Sequence, residues 1–387
     1  MITFMKYLYI GYYTDDKIFG EILERKINNM SVARQKFEYN IIRGLHEKVA
    51  NEIEFLSYVP TDGALTIPEY TYINEVKIKH FPVDKTSVLS MLMQMKKFNQ
   101  WLLEHKDELK ELKIIMYALN PLFLIPLLMA RKKYGFKIIT ICSELPQLRR
   151  YGFSVPARIK RKIFTKLNNK FDGYVLFSKH MADRIKCNNI EKYIVLEGIA
   201  PDIQNRPQMN KKNIVMYAGG LAKDNNVAKL VDCCCKIKEL DELWICGIGE
   251  DASYIEQVQK SDARIKYFGR VENRQVLKME RQAKVLVTIR SPKVELTKYS
   301  FPSKILEYIA SGSLVVSTKL KGIPEEYFDY ILETSEEEEE IISVLKQGLL
   351  MCEREYQVKC NMAQEYIKSK KNYLIQAEKI IELIKGI

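Results

Sequence analysis

Lys304 and Glu307 stand one helical turn apart in the stretch KYSFPSKILEYIASGSLVVST (298–318), between a proline and a glycine. Pro302 fits the first turn of a helix, where its missing amide hydrogen would have no intrahelical partner; Ser300 is the expected cap and Gly312 the expected stop. Ile305, Leu306, Ile309 and Ala310 give such a helix a face to pack on a sheet. A cation in the first turn is disfavoured by the helix dipole by about 0.3–1 kcal/mol, and a bound anion reverses that penalty. Free amides together with Lys304 make a cradle for a diphosphate, and Glu307 is placed to accept two hydrogen bonds from a ribose diol. The plainer reading has Lys304 reaching solvent with Glu307 as its partner. Two further turns permit close approach of backbone to a ligand, Gly219-Gly220 after IVMYA and Gly247-Ile248-Gly249 after LWIC, although ordinary tight turns use glycine in the same way.

These residues need a scaffold that ends strands at one rim. Short β-rich runs alternate with longer helical patterns along the whole chain, which predicts parallel sheets built from βαβ units. Candidate strands in the first half are KYLYIGYY, IEFLSYV, INEVKIKHF, KIIMYAL, KIITICS, GYVLFS and YIVLEG; those in the second are NIVMYAG, ELWICGI, RIKYFGRV, KVLVTIR, SLVVST and DYILE. The expected fold is α/β with two doubly wound, Rossmann-like domains facing across a cleft, over 1–197 and 213–370. A linker at 198–212 separates them, and a C-terminal helix over 371–387 is free to pack back on the first domain. Ligands of open α/β sheets lie beyond the carboxyl ends of the strands, so the cleft is where a site is expected.

A chain of 387 residues, 47% of them hydrophobic, can bury two ordinary cores. MITFMKYLYIGYY lacks the pattern of a secretion signal, and PLFLIPLLMA (121–130) is too short for a bilayer span and reads as a buried helix. The eight cysteines form no CxxC pair and have no histidine at metal-ligand spacing, so they read as small core residues of a reduced compartment, and no metal site is expected. The net charge of +12 is lopsided, since residues 1–200 hold 32 Lys and Arg against 21 Asp and Glu, a surplus of +11. Within 145–171 eight cations, from Arg149 to Lys170, occur without an acid, interleaved with Tyr151, Phe153, Ile159, Ile163, Phe164 and Leu167. Such a block suits an amphipathic helix on anionic headgroups or, alternatively, a solvated basic helix; nucleic acid is the weaker option, because no nucleic-acid fold signature accompanies the charge.

The segment 213–326 resembles the nucleotide-sugar-binding domain of retaining glycosyltransferases of the GT-B fold, family 4, particularly those that build bacterial capsules and exopolysaccharides. The resemblance rests on IVMYAGGL, LWICGIGE, RIKYFGRV, VLVTIRSP and above all ELTKYSFPSKILEYIASGSLVVSTKLKGIPEEY. The first half is similar through SVARQKFEYNIIRGL, ICSELP and FDGYVLFSKHMADRI. The resemblance implies that Glu307 holds the donor ribose and that amides near Ser303 and Lys304 meet the diphosphate. It puts Gly219 and Gly220 at the sugar phosphates, and the backbone of Arg270 and Val271 beside the nucleobase.

Two departures stand out. The position eight before Glu307, where the family commonly has an acid, is Tyr299, and the nearest upstream acid is Glu295. The family's arginine and lysine near the glycine turn are replaced by Gly220 and Asn225, which leaves Lys223 and Arg290 to stabilise the leaving diphosphate, with Arg290 the better placed. Glu144 occupies the place of a residue near the reacting sugar, and Ser31, Arg34, Gln35 and Lys36 are candidates for the acceptor side. An alternative for Glu144 is a loop acid, and for Ser31 to Lys36 a plain helix start.

The implied chemistry is transfer of a sugar, with retention, from a nucleotide-diphosphate donor to a lipid-linked saccharide at the cytosolic face of the membrane. Charge on the departing diphosphate would be met by amides and cations, and the lack of an Asp-x-Asp pair fits a reaction without a cofactor or an obligate metal. Two rivals share the fold: a nucleotide-sugar isomerase or hydrolase, and a noncatalytic partner that has lost turnover.

Overall fold

The computed structural model describes residues 5–27, 31–143, 145, 155–185, 192–203 and 211–387. The chain divides into two compact units, one formed by 1–196 with 373–387 and the other by 197–372.

In the first unit the strands are β1 (Tyr7–Gly11), β2 (Ile53–Thr61), β3 (Tyr70–Ile73), β4 (Val76–Asp84), β5 (Lys113–Tyr117), β6 (Lys137–Cys142), β7 (Gly173–Leu176) and β8 (Tyr193–Val195). The helices are α1 (Asp16–Glu24), α2 (Val32–Val49), α3 (Val88–Glu104), α4 (Pro121–Tyr134), α5 (Val155–Asn168), the single turn α6 (Met181–Arg184) and, from the end of the chain, α13 (Tyr373–Gly386). The sheet runs β3-β4-β2-β1-β5-β6-β7-β8, and every pair is parallel except β3 with β4. INEVKIKHF is therefore not one strand: Asn74, at φ 53°, turns the chain so that Ile73 pairs with Val76 in a hairpin. A turn residue that tolerates the left-handed region supplies the reason. The apolar run at 121–130 is helix α4, started by Pro121 and capped by Asn120; it is buried on one side only, through Leu122, Phe123, Leu124 and Leu127, with Ile125 and Met129 exposed. Helix α13 lies on α2, with Gly44 directly against the Tyr373 carbonyl and Arg43 stacked 3.8 Å from the Tyr373 ring centre.

In the second unit the strands are β9 (Lys212–Ala218), β10 (Glu242–Cys246), β11 (Ile265–Tyr267), β12 (Ala283–Thr288), β13 (Leu314–Thr318) and β14 (Leu332–Thr334). The helices are α7 (Val227–Cys235), α8 (Ala252–Ser261), α9 (Asn273–Gln282), α10 (Lys304–Ala310), α11 (Glu338–Leu350) and α12 (Glu353–Lys370). This sheet is parallel throughout, in the order β11-β10-β9-β12-β13-β14, a doubly wound arrangement whose direction reverses between β9 and β12. Both faces are covered, so the strands are apolar on both sides: Val215 and Tyr217 of β9 enter one core, and Ile214, Met216 and Ala218 the other. The acidic run before 341 opens α11, where its charge suits the dipole. The first and last turns of this unit are joined by Lys371, whose ammonium lies 3.1 and 3.2 Å from the two oxygens of buried Glu197 and 3.2 Å from Glu326.

Candidate functional site

A doubly wound sheet opens a crevice where its winding reverses, because the helices flanking that point leave on opposite faces. In the second unit the point lies between β9 and β12, and the loops that follow these strands are Gly219-Gly220 and Ile289-Arg290. The glycine loop is fixed from three sides. The Gly219 amide donates to the Cys246 carbonyl at 2.9 Å, and the Gly220 carbonyl accepts from both the Tyr217 hydroxyl and Asn225 Nδ2 at 2.7 Å. Asn225, standing where a family lysine was expected, thus closes the loop. Gly247 is required next door: its φ is 152°, and a Cβ there would meet the Gly219 carbonyl oxygen at 1.8 Å.

Helix α10 is tied to the same strand end. The buried Tyr308 hydroxyl accepts from the Ala218 amide at 2.9 Å and lies 3.2 Å from the Ala218 carbonyl, so the tyrosine grips the last residue of β9. The helix starts later than its sequence suggests. Its first residue is Lys304, Ser303 occupies the cap position, and the Ser300 hydroxyl donates instead to the Leu296 carbonyl at 3.1 Å. The reason is the preceding short turn over 295–298, which folds the chain back so that Ser300 serves that turn rather than the helix.

Lys304 and Glu307 are in direct contact, and a third residue joins them. Lys304 Nζ also lies 3.1 Å from Oε1 of Glu280, a fully buried acid of α9. Burial pushes the Glu280 carboxyl up to about 8, with Lys304 pulling it down and Glu307 adding to the rise. Burial also works against the charge of Lys304, but Glu280 and Glu307 outweigh it and hold the ammonium above the ordinary lysine value. Oε2 of Glu280 has no hydrogen-bond partner among the described residues. Sequence reasoning missed Glu280, although a signal existed: Val276, Met279, Glu280 and Ala283 fall on one helical stripe, and an acid on an apolar stripe marks a buried charge.

The other expected donor-side residues occupy the same rim. Arg290 is half-buried, its pKa lowered by burial against the pull of Tyr217 and Asp224, and its Nε has no hydrogen-bond partner among the described residues. Lys223 is exposed in a short turn over 223–225, and this turn is held to the Arg290 loop by the Ser291 amide, which donates to the Asp224 carbonyl at 3.0 Å. Arg270 is exposed beyond β11, and Val271 packs against the core. Ser303 and Glu295 are exposed, whereas the Tyr299 side chain is buried. Glu144 and residues 146–154 of the basic block lie outside the described residues.

In the first unit the winding reverses between β1 and β5, and the acceptor-side candidates gather beside β1. Ser31 caps α2 by accepting from the Arg34 amide at 3.1 Å, and Lys36 is exposed on the same helix. Gln35 is buried and donates to the Thr14 carbonyl. The Arg34 guanidinium lies 4.6 Å from the Tyr12 ring centre, and its Nε is 3.8 Å from Oε1 of Glu38. Glu38, another residue that sequence reasoning missed, is fully buried; its Oε2 accepts from the Tyr12 amide at 2.8 Å and the Tyr9 hydroxyl at 3.1 Å. Burial raises its carboxyl to about 7, with Arg34 the largest opposing influence. Its signal was again an acid on a core-facing stripe, here with Gln35, Ile41, Ile42 and Leu45. Half-buried Tyr12, Phe37, Tyr58 and Phe177, with buried Tyr117, form a chain of ring contacts of 5.2–6.5 Å at this rim.

Residues 212–347 match the family described as Glycosyl transferases group 1. No curated protein matches the chain by sequence. Among solved structures it is similar to the lipopolysaccharide outer core galactosyltransferase WaaB in its apo form (TM-score 0.64, 15% identity, 99% of each chain covered). It is also similar to Anabaena Alr3699/HepE in complex with UDP (TM-score 0.65, 13% identity, 99% of this chain and 100% of that one). A third likeness is to an E. coli trehalose-6-phosphate protein bound with UDP-2-fluoro glucose (TM-score 0.64, 10% identity, 98% and 99% covered). At these identities the likeness establishes the fold. The chain has the GT-B architecture with a group 1 glycosyl transferase domain over 212–347, and domain and fold together support a transferase.

Proposed function

We propose that the chain transfers a sugar, with retention, from a nucleotide-diphosphate donor to a lipid-linked saccharide acceptor in surface polysaccharide synthesis, working at the cytoplasmic face of the membrane. The observation that carries this reading is the gathering of the Gly219-Gly220 loop, Arg290 and the Lys304–Glu307 pair at the winding reversal of the second unit. Two structural neighbours that hold UDP or a UDP-sugar support a nucleotide sugar as the donor. In this reading Glu307 accepts the ribose hydroxyls, and the backbone of Arg270 and Val271 borders the base. Gly219, Gly220, Ser303 and Lys304 face the diphosphate, and Glu295 and Tyr299 lie on the sugar side. Arg290, assisted by Lys223, stabilises the charge that grows on the leaving diphosphate; fixed cations and amides in a site of low dielectric do this without reorganisation. Glu144 orients the acceptor, and Ser31, Arg34, Gln35 and Lys36 line its side of the reaction. The basic surface of the first unit attracts the anionic bilayer on which the acceptor is carried.

The test is release of free nucleoside diphosphate from a panel of nucleotide sugars, with and without lipid-linked saccharide. Release that depends on acceptor supports transfer. Equal release without acceptor indicates a hydrolase, and binding without release indicates a noncatalytic protein.

A further inference from the structure

Helix α3 turns its apolar residues the wrong way for a globular core. Its buried side begins only at Gln94 and continues with Phe98, Trp101 and Leu102. Before that, Val88 and Leu89 are 70% and 66% exposed and Leu92 and Met93 52% and 53%, with Met91 exposed beside them. The spacing puts these side chains in two adjacent columns, 88-92 and 89-93, and the next residues up the columns are Lys96 and Lys97, both exposed. The helix therefore ends in an apolar tip with a collar of cations one turn behind it. From Val88 to Met93 the rise is about 8 Å at about 1.5 Å per residue, within the roughly 5–10 Å to which interfacial helices bury their apolar faces. Lysines one turn back can lay their stems along the apolar surface and keep their ammonium groups at the phosphates.

The neighbouring helices extend the same surface. The crossovers β4-α3-β5, β5-α4-β6 and β6-α5-β7 all advance in one direction across the sheet, so right-handed connections place α3, α4 and α5 on one face, with their amino ends at the rim where the strands end. Ile125 and Met129 of α4 and Val155, Ile159 and Ile163 of α5 are exposed. The one acid in these three helices is Glu104, the last residue of α3, while α5 alone carries Arg158, Lys160, Arg161, Lys162 and Lys166. An apolar surface with cations and almost no acids matches an anionic bilayer and is a poor match for a protein partner of ordinary mixed charge.

We propose that the amino-terminal turns of α3 are a membrane anchor that inserts Val88, Leu89, Leu92 and Met93 into an anionic lipid surface, with Lys96 and Lys97 at the headgroups and α5 lying alongside as a second contact. This rests on the reading that the acceptor is carried by a lipid, and it adds the element that holds the first unit against the bilayer. The test uses the full chain in sedimentation with phosphatidylcholine vesicles, with or without phosphatidylglycerol. Wild-type protein is expected to partition onto the anionic vesicles. Leu89→Asn/Leu92→Asn is expected to lower partitioning about tenfold and Lys96→Gln/Lys97→Gln severalfold, while Leu92→Trp should give a blue-shifted emission quenched by brominated acyl chains. The Trp reporter keeps the test decisive if the double variant folds poorly. Wild-type partitioning of the Leu89/Leu92 variant with loss only in Ile159→Asn/Ile163→Asn would overturn the proposal, as would concentration-dependent self-association through α3 without vesicle binding. UDP titration of the same proteins in vesicle-free buffer reports separately on the donor site, so failure of that reading is not confused with failure of this one.

Discussion

Replacing Glu280 by Gln should flatten the dependence of stability on pH between 5 and 8. The carboxyl is fully buried, and its pKa rises from the ordinary 4.5 to about 8. A carboxyl whose folded pKa exceeds its unfolded one favours the fold while protonated, so its contribution is complete below the unfolded value and is lost as pH climbs through about 8. The gap between those values, at about 1.4 kcal/mol for each tenfold, sets a ceiling of about 5 kcal/mol. Lys304 remains beside the ionised carboxylate, so the expected loss in wild type relative to Glu280→Gln is about 2–4 kcal/mol between pH 5 and pH 8. Urea unfolding of both proteins at each pH measures it, with the midpoint falling for wild type and nearly constant for the variant once other titrations are subtracted. Parallel curves would show that Glu280 does not change charge differently in the folded and unfolded states across this range, and the account of it as a buried acid held protonated up to about pH 8 would fail.

Two further substitutions probe how the site is held. Tyr308→Phe removes the hydroxyl that bonds the buried Ala218 backbone and should cost about 1–3 kcal/mol in urea unfolding, because the amide is left without a partner; a cost below about 0.5 kcal/mol would mean that α10 is not fixed to β9 through this tyrosine. Lys371→Met strands the buried Glu197 carboxylate and should cost about 3–5 kcal/mol, with Glu197→Gln/Lys371→Met recovering much of the loss. A loss under about 1 kcal/mol would refute the role of this pair in closing the second unit.

The strands were legible because both sheets are buried on both faces, so each strand reads as a short apolar run between turn signals. Runs such as KIIMYAL and NIVMYAG admit little else. Where local chemistry offered two outcomes, the pattern misled. Asn74 made a hairpin of an expected strand, and the turn over 295–298 took Ser300 away from α10. The glycine loop and the Lys304–Glu307 spacing were readable because each is local. Glu280 and Glu38 were not, since the partners of a buried acid come from other elements: Lys304 is 24 residues from Glu280, and Tyr9 is 29 from Glu38. The exposed tip of α3 was hidden for the opposite reason, as an apolar run gives no sign of whether it faces core or solvent.

The central claim is that the second unit grips a nucleoside diphosphate with Glu307 on its ribose. Calorimetric titration with UDP, GDP, ADP and CDP identifies the preferred nucleotide, which is then compared with its 2′-deoxy counterpart on wild type and Glu307→Ala. The account predicts that Glu307→Ala weakens the ribonucleotide about 10- to 100-fold, the worth of charge-assisted hydrogen bonds of about 1.5–3 kcal/mol, and weakens the 2′-deoxynucleotide, which keeps one of the two hydroxyls, by a smaller factor. Failure of every nucleotide to bind, or equal binding of the ribonucleotide by wild type and variant, would contradict it.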